Sequence, residues 1–300
     1  NIKKSVRNMI NEKVDNFLHA PTDSISFGDV SNCKIKGDTF IYWGDEPIGK
    51  LKKGKSIYGP NAEALNSEYL SSENKLLISA KLQKWLDDEI NNTLYPLNKK
   101  LDEDINSEIR AIAFNCLENF GNYPIEKFKD TLKNISDDSK IQISKLGIRI
   151  GAKYFFIPSL LKKKPIEFSA ILWKTFYHND TDGVLPLPVN GRVSFTSEIK
   201  MPDSYWQSIG YINIKNFMFR IDVFEKIFFI ARQKFKKGPF LESSELMNPI
   251  GCNSSQLKDI MVFCGYQYLT ISDEKKLFFM SYKTKETKKI SNKKPNKKNN

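Results

Sequence analysis

The sequence predicts an α+β fold, mainly helical, with a small β segment near the N-terminus, a helical middle and a C-terminal helix-turn-helix-like module. Three observations carry this. Apolar residues recur at helical spacing through much of residues 74–178. Short apolar runs punctuated by glycine occupy residues 29–60. Near the C-terminus, two short helical stretches flank a Pro249-Ile250-Gly251 turn. A content of 40% hydrophobic residues, with 21 Phe and 12 Tyr, is enough to bury a sizeable core across two domains.

Taken in order, residues 1–28 read as a linker whose polar helix stops before Pro21. Residues 29–66 form the β segment, with KIKGDTFIYW and EPIGKLKKGKSIYGP as strands and Gly37-Asp38, Gly44-Asp45 and Gly54 as turns. Residues 67–190 form a helical accessory domain. Ile78, Leu82, Trp85, Leu86 and Ile90 make one stripe; Ile109, Ile112, Ala113, Cys116, Leu117 and Phe120 make another, stopped by Gly121. Ser136 caps the next helix, Gly147 ends it, and Pro165 opens the helix IEFSAILWKTFY. In residues 191–282 a helix from Ile221 to Phe235 buries Phe224, Ile227, Phe228 and Ala231. The helix-turn-helix-like stretch follows, its second helix capped by Ser254 or Ser255 and closed at Gly265, with an apolar strand as a wing. Residues 283–300 read as a disordered basic tail.

Charge narrows the partners. The tail holds eight Lys and one Glu, a net +7 of the chain's +12, and can neutralise phosphates or simply be solvated. No run of about 18 apolar residues is present to span a bilayer, and the opening stretch is too polar for a signal peptide. Asn at position 1 points to a start inside a longer product. Four scattered cysteines without a C-x-x-C pair fit buried thiols in a reducing cytoplasm rather than a zinc site.

Catalytic motifs fail on inspection. GDEPIGKL at 44–51 nearly matches a phosphate loop, but Leu51 replaces the metal-binding hydroxyl, Asp45 and Glu46 repel phosphate, and Pro47 lacks an N–H. Asp87, Asp88 and Glu89, like Asp102, Glu103 and Asp104, suit a solvated helix face. With two histidines and no paired carboxylates in an apolar setting, no general acid or base stands out.

One block is more informative. Residues 145–173, KLGIRIGAKYFFIPSLLKKKPIEFSAILW, resemble the C-terminal block of alphaproteobacterial superfamily 2 helicases related to the RNA helicase of the mitochondrial degradosome. Gly147, Arg149, Gly151, Pro158, Leu161, Lys162, Pro165, Ala170 and Trp173 fall in that register. Lys163 stands where the family has proline, and Phe155 where it has a polar aromatic. IYWGDEPIGKLKKG, residues 81–101, GYINIKNFMFRIDVFEKI and ELMNPIGCNSSQLKDIMVFCGY resemble further family segments in the same order, so the likeness spans about 40–280. The chain contains no D-E-x-[DH] box and no Q-x-x-G-R-x-G-R motif. The resemblance therefore implies the C-terminal accessory region of an ATP-dependent helicase, with RNA the expected substrate. ATP and Mg²⁺ would be used by an upstream motor and no cofactor by this chain.

The partners then implied are RNA or DNA, the chain's own motor domains and a nuclease, with no membrane. Phosphate-contacting candidates are Arg149, Lys153 and the lysine loop Lys162, Lys163 and Lys164, with Lys258 on the second helix of the C-terminal module. Tyr154, Phe155 and Phe156 are either stacking platforms or core strand residues. Arg149 suits a phosphate, or equally a buried carboxylate such as Asp222. Two other classes stay open: a DNA-binding helix-turn-helix regulator, and a scaffold that docks a nuclease or ribosomal partner.

Overall fold

The computed structural model describes residues 2–28, 34–35, 39–98, 105–177, 185–189, 191–272 and 275–280. The expected Gly37-Asp38 turn, the acidic residues 102–104 and the basic tail lie outside these. Helix α1 (Ile2–His19) buries Val14 and Phe17. The carbonyls at its C-terminal end gather on a lysine: Lys81 Nζ donates to those of Phe17 at 2.7 Å, Leu18 at 3.0 Å and, just past the helix, Ala20 at 2.5 Å. Strand β1 (Ile25–Ser26) follows, then β2 (Lys34–Ile35), β3 (Phe40–Trp43), β4 (Glu46–Lys52) and β5 (Asn61–Ala64). These make a four-stranded antiparallel sheet, ordered β1-β3-β4-β5, with β2 outside it.

Helix α2 (Ser72–Thr93) is capped by Ser71 and buries the stripe Ile78, Leu82, Trp85, Leu86 and Ile90. Helix α3 (Ser107–Glu118) buries Ile109, Ile112, Ala113, Cys116 and Leu117. It stops before Phe120, which belongs to the turn and not to the helix: Phe120 has φ 54° and Gly121 φ 77°. The turn is held from outside. The Tyr58 hydroxyl donates to the Leu117 carbonyl at 2.9 Å and accepts the Phe120 N–H at 2.8 Å.

Beyond it come β6 (Asn122–Pro124), α4 (Lys129–Asn134), α5 (Asp137–Lys145, capped by Ser136), β7 (Arg149–Ile150), β8 (Tyr154–Phe156) and α6 (Lys163–Tyr177). A three-stranded sheet, β6-β8-β7, thus interrupts the helical middle. Helix α6 begins two residues before Pro165, which sits within the first turn, where a missing N–H costs nothing.

The remaining elements are β9 (Leu185–Pro186, paired with β2), β10 (Ser194–Thr196), α7 (Asp203–Ser208), β11 (Tyr211–Ile214), β12 (Phe217–Arg220), α8 (Ile221–Phe235), β13 (Phe240–Leu241), α9 (Ser244–Met247), α10 (Ser254–Phe263), β14 (Gln267–Ser272) and β15 (Lys275–Phe279). Their sheets are ordered β10-β12-β11 and β13-β15-β14. The β11–β12 hairpin turns at Lys215 and Asn216, both with positive φ. Helix α10 is capped one residue earlier than the serines suggest. Asn253 Oδ1 accepts the Gln256 N–H and Gln256 Oε1 accepts the Asn253 N–H, each at 2.9 Å.

The fold is α+β, with two apolar cores. One runs from Val14 to Met218 and the other from Phe156 to Phe278, so the first spans both sides of residue 190. The two meet at β8. Successive strand residues face opposite ways, so Phe155 enters the first core and Phe156 the second. Leu160 and Leu161 divide in the same manner.

Candidate nucleic-acid interface

Within residues 145–173 only the stretch 152–161 borders both cores, whereas Ile166, Phe168, Ala170, Ile171, Leu172 and Trp173 of α6 all enter the first. After α5 the chain reverses at Gly147 (φ 85°) and buries Ile148. Arg149 follows on edge strand β7, opposite Phe156, with its side chain exposed. It is not paired with Asp222. That carboxylate is held by Arg220, through Nε–Oδ1 at 2.7 Å and Nη2–Oδ2 at 3.0 Å. The bidentate bond raises the Arg220 pKa further.

The loop from Gly151 to Tyr154 wraps around the carboxylate of Glu225 on α8. Oε2 accepts the Ala152 N–H at 2.5 Å, and Oε1 accepts those of Lys153 at 2.9 Å and Tyr154 at 2.8 Å. Burial raises the Glu225 pKa, against the opposing pull of these three N–H groups and of the Lys153 ammonium. The Lys153 ammonium itself lies 5.6 Å from the centre of the Phe228 ring. Its stem and charge are therefore partly engaged with α8.

The aromatics of the block are core, not stacking platforms. Phe155 and Phe156 are buried; Phe155 meets Phe128 edge-on at 5.9 Å and Tyr154 meets Phe224 at 6.0 Å.

The lysine triplet is not a loop. Lys162 ends a single 3₁₀ turn (Pro158–Leu161), and Lys163 and Lys164 form the first turn of α6. Lys164 reaches Glu89 of α2 at 3.0 Å, and Lys163 lies 3.9 Å from Glu167. Lys162 is exposed and has no ion pair among the described residues. The three lysines thus share one short stretch, while Arg149 is set by a different neighbour, β8.

On α10, Lys258 is half-buried, 3.7 Å from Asp259 and with its ammonium 5.6 Å from the Tyr268 ring centre. Asp259 also binds Lys215 at 2.9 Å. Gln256 is consumed by the capping box. What α10 exposes instead is Val262 and Phe263, and β14 exposes Tyr268, Leu269 and Ile271.

The near-phosphate loop is a β-hairpin. Gly44 (φ 59°) makes the turn, and residues 46–52 are strand β4, paired with β3 and β5. A side chain at Gly49 would meet Leu82 at 2.4 Å and the Glu63 carbonyl at 2.8 Å, so this glycine serves packing. In the Asp87–Glu89 cluster, Asp87 accepts a hydrogen bond from Gln83 and Glu89 binds Lys164. Among the described residues there is no group of three or more His, Cys, Asp or Glu that could hold a metal, and no helix long and apolar enough to cross a membrane. Comparison of the chain with protein-family models, curated proteins and solved structures finds no match.

Sequence reasoning missed Glu225. The available signal was a carboxylate inside the otherwise apolar and basic run VFEKIFFIARQKFKK.

Proposed function

We propose that this chain is the C-terminal accessory region of an ATP-dependent helicase, RNA being the expected substrate, and that it binds and guides nucleic acid. The observation that carries this is the exposure of Arg149 on a strand whose neighbour β8 is clamped between two cores. A planar guanidinium on a rigid frame binds phosphate with little ordering cost. Lys162 and Lys163 add charge at the N-terminal end of α6, where the helix dipole also favours anions. The order α9, α10, β14 and β15 supports reading residues 191–282 as a helix-turn-helix-like module with a wing.

The test is single-strand binding by the full chain and by Arg149→Ala and Lys162→Ala. Each substitution is expected to weaken binding several-fold and leave the melting temperature unchanged. A melting loss at Arg149→Ala with binding intact counts against the reading.

A docking scaffold is the second reading, favoured by the exposed Val262, Phe263, Leu269 and Ile271 on the C-terminal module. A sequence-specific DNA regulator has less support, because Gln256 and Lys258 are both engaged within the protein.

A further inference from the structure

The outward face of α8 has a composition that its role in the fold does not explain. Phe224, Ile227, Phe228 and Ala231 face the core. Lys226, Phe229, Gln233, Lys236 and Lys237 are exposed, at spacings of three, four and three residues before the final pair. They therefore lie along one side of the helix and its C-terminal extension. Phe229 is 58% exposed at the centre of this row. Arg232 is exposed beside it, 6.0 Å from the Phe228 ring centre.

The row borders a groove of about 750 Å³, lined by Phe229, Gln233, Lys234, Lys237 and Leu241 among others. Leu241 is 45% exposed. Ser243, whose buried hydroxyl has no partner among the described residues, lines the same groove. Two carboxylates also border it, and both are engaged: Glu245 with Lys234 at 2.7 Å, and Glu242 with the Ser254 hydroxyl at 2.7 Å. Lys226, Arg232, Lys236 and Lys237 have no ion-pair partner among the described residues. Cations near a helix C-terminus complement the dipole. That accounts for Arg232 and Lys234, but neither for Lys226, two turns earlier, nor for a phenylalanine left in water between them.

We infer that this face of α8 is a binding site for single-stranded nucleic acid, with a base stacked on Phe229 and the flanking phosphates held by Lys226, Arg232, Lys236 and Lys237. At about 1.5 Å per residue, Lys226 to Lys237 spans roughly 16 Å, room for a short run of strand. An aromatic ring on a convex helix can stack only on a base that is already unpaired, so the ligand is a single strand and not a duplex. The site deepens the strand-guiding reading and rests on it for the class of ligand. It uses none of the residues on which that reading was built.

The test is fluorescence anisotropy of the full chain with a short oligothymidylate and with an abasic strand of equal length. Phe229→Ala is expected to weaken oligothymidylate binding about tenfold and leave the abasic strand unaffected, and Phe229→Trp to restore it. Replacing Lys236 and Lys237 by alanine should weaken both ligands and reduce the salt dependence. Phe229 is exposed, so an unchanged melting temperature is expected for each variant. Unchanged oligothymidylate binding by Phe229→Ala, or equal losses for both strands, overturns this site alone. No binding of either strand by the parent chain overturns the site and the strand-guiding reading together.

Discussion

The carboxylate of Glu225 occupies the space that a side chain at Gly151 would fill: a Cβ there would stand 2.4 Å from Glu225 Cδ. Gly151 has no positive φ, so it is required by this close approach and not by its backbone conformation. Glu225 in turn satisfies three N–H groups of the loop that Gly151 opens. Gly151→Ala is expected to cost about 1–3 kcal/mol by overpacking, and Glu225→Ala about 3 kcal/mol by orphaning buried donors. The double variant should lose less than the sum, because the clash vanishes with the carboxylate. Urea midpoints measure all three, and full additivity would show that the two residues do not act on each other.

The full chain should neither bind nor hydrolyse ATP. Its near-phosphate loop is a strand whose Gly49 is buried against Leu82 and paired in register with Ala64. Turnover that disappears in Lys50→Ala would refute this.

Removing residues 283–300 takes away a net charge of +7. Binding to single strands should weaken, and the slope of log affinity against log salt should flatten by about 0.7 for each phosphate that the tail no longer neutralises. Melting should not change. An unchanged slope would make the tail a bystander.

Alkali should destabilise the fold well before backbone chemistry intervenes. Burial raises the Cys116 thiol from 9.0 to about 12 and Cys252 from 9.0 to about 11. Tyr154 and Tyr266 move from 10.0 to about 12, burial again being the main cause. In each case the folded state keeps a proton that the unfolded state releases. Stability is therefore full below pH 9 and falls as pH rises through 9 to 12. Denaturation midpoints across that range check this, and a flat profile contradicts it. Native Cys116 should also resist alkylation at pH 8 until the chain unfolds.

The long helices are legible in the order of residues alone. The stripes on α2, α3 and α8 each contain enough turns for periodicity to name the buried face, and Ser136 and Gly147 mark α5 by local chemistry. Strands of two to four residues, such as β6, β7 and β8, carry too little pattern to be read, because their partners are remote in the chain. Ring burial was likewise ambiguous until the position of β8 between two cores sent Phe155 one way and Phe156 the other. Whether Asp222 takes Arg149 or Arg220 is a choice between chemically identical donors, and it is made by packing in three dimensions. The same holds for Glu225, whose donors lie more than seventy residues earlier. Local chemistry acts through neighbours along the chain, whereas a buried charge is defined by whichever distant backbone folding brings to it.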